Sequence, residues 1–407
     1  TELPMMSSAV EQLRIKKKRR RVESPPSSCS RLMSLPYDMV LNCLARVSRT
    51  DLAALCLVSK SIRSLVSSAE MYETRSRMGL REDYIYVCLG TNFGTNPLGW
   101  FILRKGGQWN RLIPIPIPSF PSPRRATYVS MGCGIYVIGG EIEAVKTSCV
   151  SFLDCRTHTW SQLPSMRFAR CEANAGVLDG KIYVMGGCDT VFSGNNPEVF
   201  DPKTQTWSRV CIPDPVMNSK VGKLVGPPDN NISIKFWTEE GLWNDFFLNA
   251  KEDCCCAIDR LLFTCDFDGR IKWCDPLSGV RKGSMEWYKV NGLEDLLGFL
   301  KFDLSKDTIF FVGESADVWN CHMLKRGYTD GLLGLVPGFK ISKSAGNIVI
   351  FWSVLLGDKL QVWCAEISLE RRLRQDDGQI WGNIQCIDHV FTMDPDLYIL
   401  SSINVSL

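Results

Sequence analysis

Three consecutive cysteines, Cys254-Cys255-Cys256, are the residues whose type first suggests chemistry, and that chemistry would be metal binding through thiolates. Their surroundings argue against it. A zinc site needs four converging thiolates or imidazoles, yet the chain has no C-x-x-C pair and only His158, His322 and His389 to supply imidazole. The eighteen cysteines are scattered through 407 residues, and those in β-rich runs, such as Cys149 and Cys171, read as small apolar side chains. No G-x-S-x-G elbow, Walker loop, G-x-G-x-x-G or H-E-x-x-H motif is present. Carboxylates are plentiful, but no pattern marks a catalytic pair. The expectation is a chain that catalyses nothing itself, with no cofactor and no metal.

The composition, 45% hydrophobic and 22% charged, is that of an ordinary globular protein with room for two or three domains. No run of about 18 apolar residues is present to span a bilayer, and no apolar stretch follows the charges near the start. This predicts reduced thiols and no membrane. The net charge of +3 hides an asymmetry, because residues 1–31 carry eight Lys or Arg against three Glu. Within that tail, Lys16-Lys17-Lys18-Arg19-Arg20-Arg21 precedes Ser24-Pro25-Pro26-Ser27-Ser28, a composition unable to pack a core. The cluster has the form of a nuclear-import signal, with a nucleic-acid or anionic-surface patch, or a solvated tail, as alternatives. It lacks interleaved aromatics, so specific nucleic-acid recognition is not expected. Nucleus, cytoplasm or both is the expected location.

The elements that would position any functional group begin at Ser34. Val40, Leu41 and Leu44 form one apolar face, and Leu52, Leu55, Ser59, Ile62 and Val66 recur at three or four residues. Two or three short helices are predicted, with Ser34 capping the first, Pro36 near its start, and Thr50 capping the next ahead of Asp51. A unit of about 45 residues buries little apolar surface by itself, so some of these side chains should cover a partner or the next domain.

Leu35-Pro36, Val40, Leu44, Leu52 and the run Leu57-Val58-Ser59-Lys60 with Arg63 and Leu65 resemble the F-box, the motif that binds a Skp-type adaptor of a cullin-RING ubiquitin ligase. Val47-Ser48 stands where the family often has a second Leu-Pro, and Ile62 where an aromatic is usual. The resemblance implies adaptor contact through Leu35, Pro36, Val40, Leu44, Leu52, Leu55, Val58 and Leu65, with Ser59, Lys60 and Arg63 nearer the rim.

From about residue 84 the chain changes to short β-rich runs separated by Gly, Pro and Asp. Gly134-Ile135-Tyr136-Val137-Ile138-Gly139-Gly140 aligns with Lys181-Ile182-Tyr183-Val184-Met185-Gly186-Gly187, and Asp154 to Trp160 aligns with Asp201 to Trp207, both at an offset of 47 residues. One constant shift for Tyr, Gly-Gly, Asp and Trp marks a structural repeat. Each unit reads as four strands, with Asp179-Gly180 as a hairpin turn. One such sheet cannot hide both faces, so several must stack radially as a propeller. At 47 residues per unit, residues 84–400 hold about six blades with longer loops, with five or seven as alternatives.

Gly-Gly with Tyr136 or Tyr183 before it, and Trp160 or Trp207 after it, resembles the kelch repeat. Divergent copies are expected at Ile85 to Gly90 through Trp109, at Leu261 to Cys265 with Trp287, at Ile309 to Gly313, and at Ile348 to Trp352 with Trp363 and Trp381. The whole order resembles the plant F-box/kelch-repeat family. The expected architecture is therefore a basic tail (1–31), a small all-α F-box domain (32–79) and an all-β kelch-type propeller (80–407) of about six four-stranded blades, several degenerate. A kelch propeller can host a copper oxidase, but three histidines in poor contexts do not suit one.

The resemblance implies a substrate-recognition subunit of a Skp-cullin-F-box ubiquitin ligase, binding the adaptor, through it a cullin, and a target protein. The alternative is a scaffold that binds partners without ligase recruitment. Loop length and charge place candidate target contacts at Arg125, Glu141, Arg170, Asp189, Asn195 and Asn196, with solvated loops or structural ion pairs as the competing reading.

Overall fold

The computed structural model describes residues 34–91, 99–106, 110–188, 197–209, 255–259, 261–265, 270–275, 286–296, 339–356, 359–373, 378–394 and 397–407, together with residue 32 and short strands at 234–235, 245–246 and 308–310. The chain divides into two compact units, residues 1–81 and 82–407.

The first unit is helical: α1 (Tyr37–Ala45), α2 (Arg49–Val58), α3 (Lys60–Val66) and α4 (Ala69–Arg77). Three of its four helices start on serine caps, and the first two caps are not those expected. Pro36 rather than Ser34 holds the N-cap position of α1. Ser48, not Thr50, caps α2 by accepting the Asp51 N–H at 3.3 Å, which leaves Thr50 inside the first turn. Ser59 and Ser68 cap α3 and α4 in the same manner. Val40, Leu41, Leu44, Leu52, Ile62 and Leu65 pack with Met71 into one core. Arg75, almost fully buried, donates to the carbonyls of Ala45 at 3.0 Å and Val47 at 2.8 Å, satisfying groups that the end of α1 leaves without helical partners.

The second unit is a propeller of antiparallel sheets. Its chain starts with β1 (Asp83–Thr91), β2 (Gly99–Arg104) and β3 (Arg111–Pro114). The second sheet holds β4 (Thr127–Met131) and β5 (Gly134–Ile138), then β8 (Val150–Asp154) and β9 (Thr159–Leu163), with the small ribbon β6 (Glu141–Ile142) and β7 (Val145–Lys146) between them. The third runs β10 (Asn174–Leu178), β11 (Lys181–Met185), β12 (Glu198–Asp201) and β13 (Thr206–Arg209). A two-stranded pair follows, β14 (Ile234–Lys235) and β15 (Asp245–Phe246), with β15 beside β10.

The fourth sheet is β16 (Cys255–Ile258), β17 (Leu261–Cys265), β18 (Ile271–Cys274) and β19 (Tyr288–Lys289). The fifth joins β20 (Thr308–Phe310), β21 (Lys340–Ser344), β22 (Asn347–Leu356), β23 (Lys359–Leu373) and β24 (Gly378–Met393). Last, β25 (Leu397–Ser406) pairs with β1 and makes the first sheet β25-β1-β2-β3. Glu82 and Leu407 exchange backbone hydrogen bonds at 2.8 and 2.9 Å beyond that ladder. The ring thus closes by placing the chain's last strand innermost in the first blade, and the copy read at Ile85 to Gly90 supplies that blade's second strand, as β5 and β11 do in theirs.

Five blades are formed among the described residues, one fewer than the best count of six and one of the alternatives to it. The β14–β15 pair falls between the third and fourth sheets in sequence, and the copy expected at Ile309 to Gly313 makes no blade of its own among the described residues, its strand β20 pairing with β22 of the fifth. Apolar residues from neighbouring sheets meet in shared cores. Ile85, Val87 and Phe101 pack with Phe351, Leu360 and Val362; Tyr136 and Ile138 pack with Ile182, Val184 and Phe200. Each such fully buried side chain contributes about 1.5–3 kcal/mol, so adjacency of blades supplies what one sheet lacks.

The 47-residue repeat recurs bond for bond. Asp154 and Asp201 each accept the N–H two residues on at 2.9 Å, and Thr157–Thr159 and Thr204–Thr206 each pair at 2.7 Å. Trp160 donates its indole N–H to the Pro116 carbonyl at 2.9 Å, and Trp207 donates to that of Pro164 at 2.8 Å, tying each outer strand to the blade before it. At the Gly-Gly pairs, Gly139 and Gly140 have φ of 61° and 100°, and a Cβ on either would lie 2.4 Å from a backbone oxygen, of Arg170 and Arg124 respectively. The pair is glycine because the connections into β4 and β10 pass directly over it.

Candidate functional site

Two surfaces are candidates, one on each unit. On the helical unit, the apolar side chains outside the core lie at the start of α1 and the end of α2. Leu57 is 82% exposed and Val58 61%, while Leu35, Tyr37 and Met39 are also exposed. Tyr37 is held by a hydrogen bond to Glu70 of α4. The eight apolar side chains of the expected set thus divide sharply. Leu35, Pro36 and Val58 face solvent, Leu55 is half-buried, and Val40, Leu44, Leu52 and Leu65 are core residues that shape the surface from beneath. Of the polar positions, Lys60 is exposed, Ser59 is occupied as the α3 cap, and Arg63 donates to the Cys56 carbonyl near the end of α2 at 3.0 Å. Helical spacing identified a face without telling which face was inward, and so the exposed Tyr37 and Met39 were not singled out, and Leu57 was read in the F-box run without a contact role.

On the propeller, the connections into β4 and β10 meet the Gly-Gly loops in a charged cluster. Arg125 grips Glu172 with two bonds, Nε at 2.8 Å and Nη2 at 2.6 Å, and reaches Glu141 at 3.1 Å. The backbone repeats the contact, since the Glu172 N–H donates to the Arg125 carbonyl at 3.0 Å. These carboxylates, Glu172 first, raise the guanidinium's pKa further above its ordinary value. Cys171 lies against the same group, its Sγ 3.2 Å from Glu141 Oε1, and burial first, then that bond, pushes its thiol up to about 12. It is a neutral donor here, not a nucleophile. Arg125 keeps about half of its side chain exposed, and Glu141 about a fifth, so both remain open to a partner.

Arg170 stands differently. Its side chain is fully buried, bonded to Glu198 at 3.1 and 3.2 Å and to the Gly186 carbonyl at 2.7 Å, with the Phe168 ring 5.8 Å away. Glu198 is equally buried and also accepts the Arg167 N–H at 2.7 Å. The expectation that Arg170 offers itself to a target is therefore corrected: its charge is spent inside the wall of the third blade. Asp189, Asn195 and Asn196 lie outside the described residues, as do Lys16, Lys17, Lys18, Arg19, Arg20 and Arg21.

Comparison with known proteins gives this geometry its context. The F-box domain model matches residues 32–74, covering all four helices but the end of α4, and the kelch-repeats domain model of the FKB95 type matches residues 100–391. The chain belongs to the F-box/kelch-repeat family. An F-box/kelch-repeat protein of Arabidopsis thaliana is 33% identical over 396 residues, covering 89% of this chain and 93% of that protein. A putative F-box/kelch-repeat protein of the same plant is 34% identical over 409 residues, 97% of each chain, and another is 36% identical over 374 residues, 91% and 86%. The family accounts for the order of the two units. The Arg125–Glu172 clamp is legible only in the repeat: Glu172 is the residue one 47-residue step beyond Arg125, a signal that composition of loops alone did not give.

Proposed function

We propose that this chain is the substrate-recognition subunit of a Skp-cullin-F-box ubiquitin ligase. Its helical unit docks on a Skp-type adaptor and through it a cullin, while its propeller holds a target protein. The mechanism is proximity: a target lysine kept near a charged ubiquitin carrier reacts at a raised effective concentration, with no chemistry asked of this chain. The observation that carries the reading is the exposure of Leu35, Tyr37, Met39, Leu57 and Val58 on a unit that already has its own buried core. The basic run Lys16 to Arg21 supports action in the nucleus as well as the cytoplasm.

The test is complex formation between the purified chain and a Skp-type adaptor, with Leu57→Asp and the double variant Leu35→Ala/Pro36→Ala as probes. Loss of the complex in both, with unchanged circular dichroism, supports the reading. Complex formation that survives both variants overturns the docking surface, and a folded wild-type chain that binds no adaptor makes it a scaffold instead.

A further inference from the structure

The end of β3 and its connection to β4 carry five prolines in ten residues, Pro114, Pro116, Pro118, Pro121 and Pro123, a quarter of the chain's 20. Its first part, Pro114-Ile115-Pro116-Ile117-Pro118, alternates proline with isoleucine. Each proline fixes its own φ near −65°, and each isoleucine, standing before a proline, is confined to the extended or polyproline-II region. The φ of all three prolines and both dihedrals of the two isoleucines are therefore restricted before any partner arrives, and Pro114, the last residue of β3, is further held opposite Phe101 in the ladder with β2.

The fold pins this segment at three points. Ile115 is buried and donates its N–H to the Trp100 carbonyl at 3.0 Å. Trp160 holds the Pro116 carbonyl at 2.9 Å, and Phe120 meets the Trp160 ring edge-on with centroids 6.4 Å apart. Among these anchors Ile117 is 69% exposed, and the side chains of Pro116 and of Pro114, just before the first anchor, also face solvent.

The next blade serves as an internal control. Its equivalent connection, Leu163-Pro164-Ser165-Met166, keeps the same tie, Trp207 to the Pro164 carbonyl at 2.8 Å. There the exposed position after the proline is Ser165, and the following residue, Met166, turns inward and is buried. The fold thus requires one proline carbonyl and one tryptophan at this place. The extra prolines and the outward Ile117 exceed what blade packing needs.

We infer that Pro114–Pro118 is a preformed polyproline-II ligand for a partner domain with an aromatic-lined proline groove. Such grooves take proline and an adjacent aliphatic side chain from a left-handed helix with about 3.1 Å rise per residue, and a ligand already held in that form loses little conformational freedom on binding. The inference is independent of the ligase reading, because it concerns neither the helical unit nor the Arg125 cluster.

The experiment titrates the purified full chain, by calorimetry, with recombinant SH3, WW and EVH1 domains one at a time. At least one is expected to bind the wild type, and to bind Ile117→Asp at least about tenfold more weakly, a loss of about 1.4 kcal/mol, with thermal unfolding unchanged. Pro118→Gly, which frees the backbone without adding charge, should weaken the same domain. The inference is overturned by failure of all three domain types to bind, or by binding that both variants leave intact. Adaptor capture, scored on the same preparations, should be equal for wild type and variants.

Discussion

Arg125 and Glu172 occupy the same place in successive repeats, 47 residues apart, each with a left-handed φ of 51°, and they bond one another across the blade boundary at 2.6 and 2.8 Å. Two equivalent turns have thus diverged into opposite charges and become partners. Glu141, from the loop after the first Gly-Gly pair, completes the cluster.

Because Arg125 and Glu172 are each about half exposed, solvent screens them and their mutual contribution is small. A double-mutant cycle with Arg125→Ala and Glu172→Ala, followed by denaturant unfolding, should give a coupling of about 0.5–1 kcal/mol. If the cluster also meets the target, Arg125→Glu should reduce target capture far more than this stability loss accounts for. A coupling above about 3 kcal/mol would show instead that the pair is a structural element, closed to partners.

Arg170 predicts the opposite behaviour. Arg170→Met leaves Glu198 as an uncompensated charge with no exposed surface and should cost about 3–5 kcal/mol in unfolding free energy. Adding Glu198→Leu removes that stranded charge, and the double variant should recover most of the loss. A single variant as stable as wild type would mean that the pair carries little of the third blade's stability.

These two arginines show what was legible in the sequence. The repeat was, because Gly-Gly, Asp and Trp each answer a local backbone or packing demand that recurs every 47 residues: glycines under a crossing chain, Asp154 and Asp201 closing turns, Trp160 and Trp207 reaching back to a proline carbonyl. Arg170 was not, since its partner Glu198 lies 28 residues on and across two strand connections, a separation with no periodic signature. The leucines of the helical unit fall between these cases. Their spacing fixes a helix and its faces, while the choice of core over surface depends on where α4 packs.

That choice yields a third prediction. Leu44→Ala removes a buried side chain from the small helical core and should lower that unit's stability by about 2–5 kcal/mol. Leu57→Asp, at a site 82% exposed, should leave its unfolding unchanged while affecting partner binding. Equal destabilisation by both, measured by thermal unfolding followed by circular dichroism, would place Leu57 in the core.

The closing seam of the propeller should be acid-sensitive. Burial alone would raise the carboxyl of Asp83, but hydrogen bonds from Ser406, the Ala345 N–H and Asn404, with Lys343 nearby, outweigh it and hold the pKa below 3.8. Ser406 ends β25, Asp83 begins β1, and Ala345 sits in the turn between β21 and β22, so one carboxylate ties the last strand to two blades. The sign follows from the depressed native value: the unfolded chain binds the proton more readily. The stabilisation is complete above the unfolded pKa and is lost as pH falls through the lower folded one. Hydrogen exchange at β25 amides should therefore accelerate, relative to the β11 strand, as pH drops below about 4. Asp83→Asn, which keeps the shape but not the charge, should show fast β25 exchange at neutral pH and little further change with acid. Protection of β25 that is the same in Asp83→Asn and wild type at neutral pH would mean that the ladder with β1 closes the ring without help from this carboxylate.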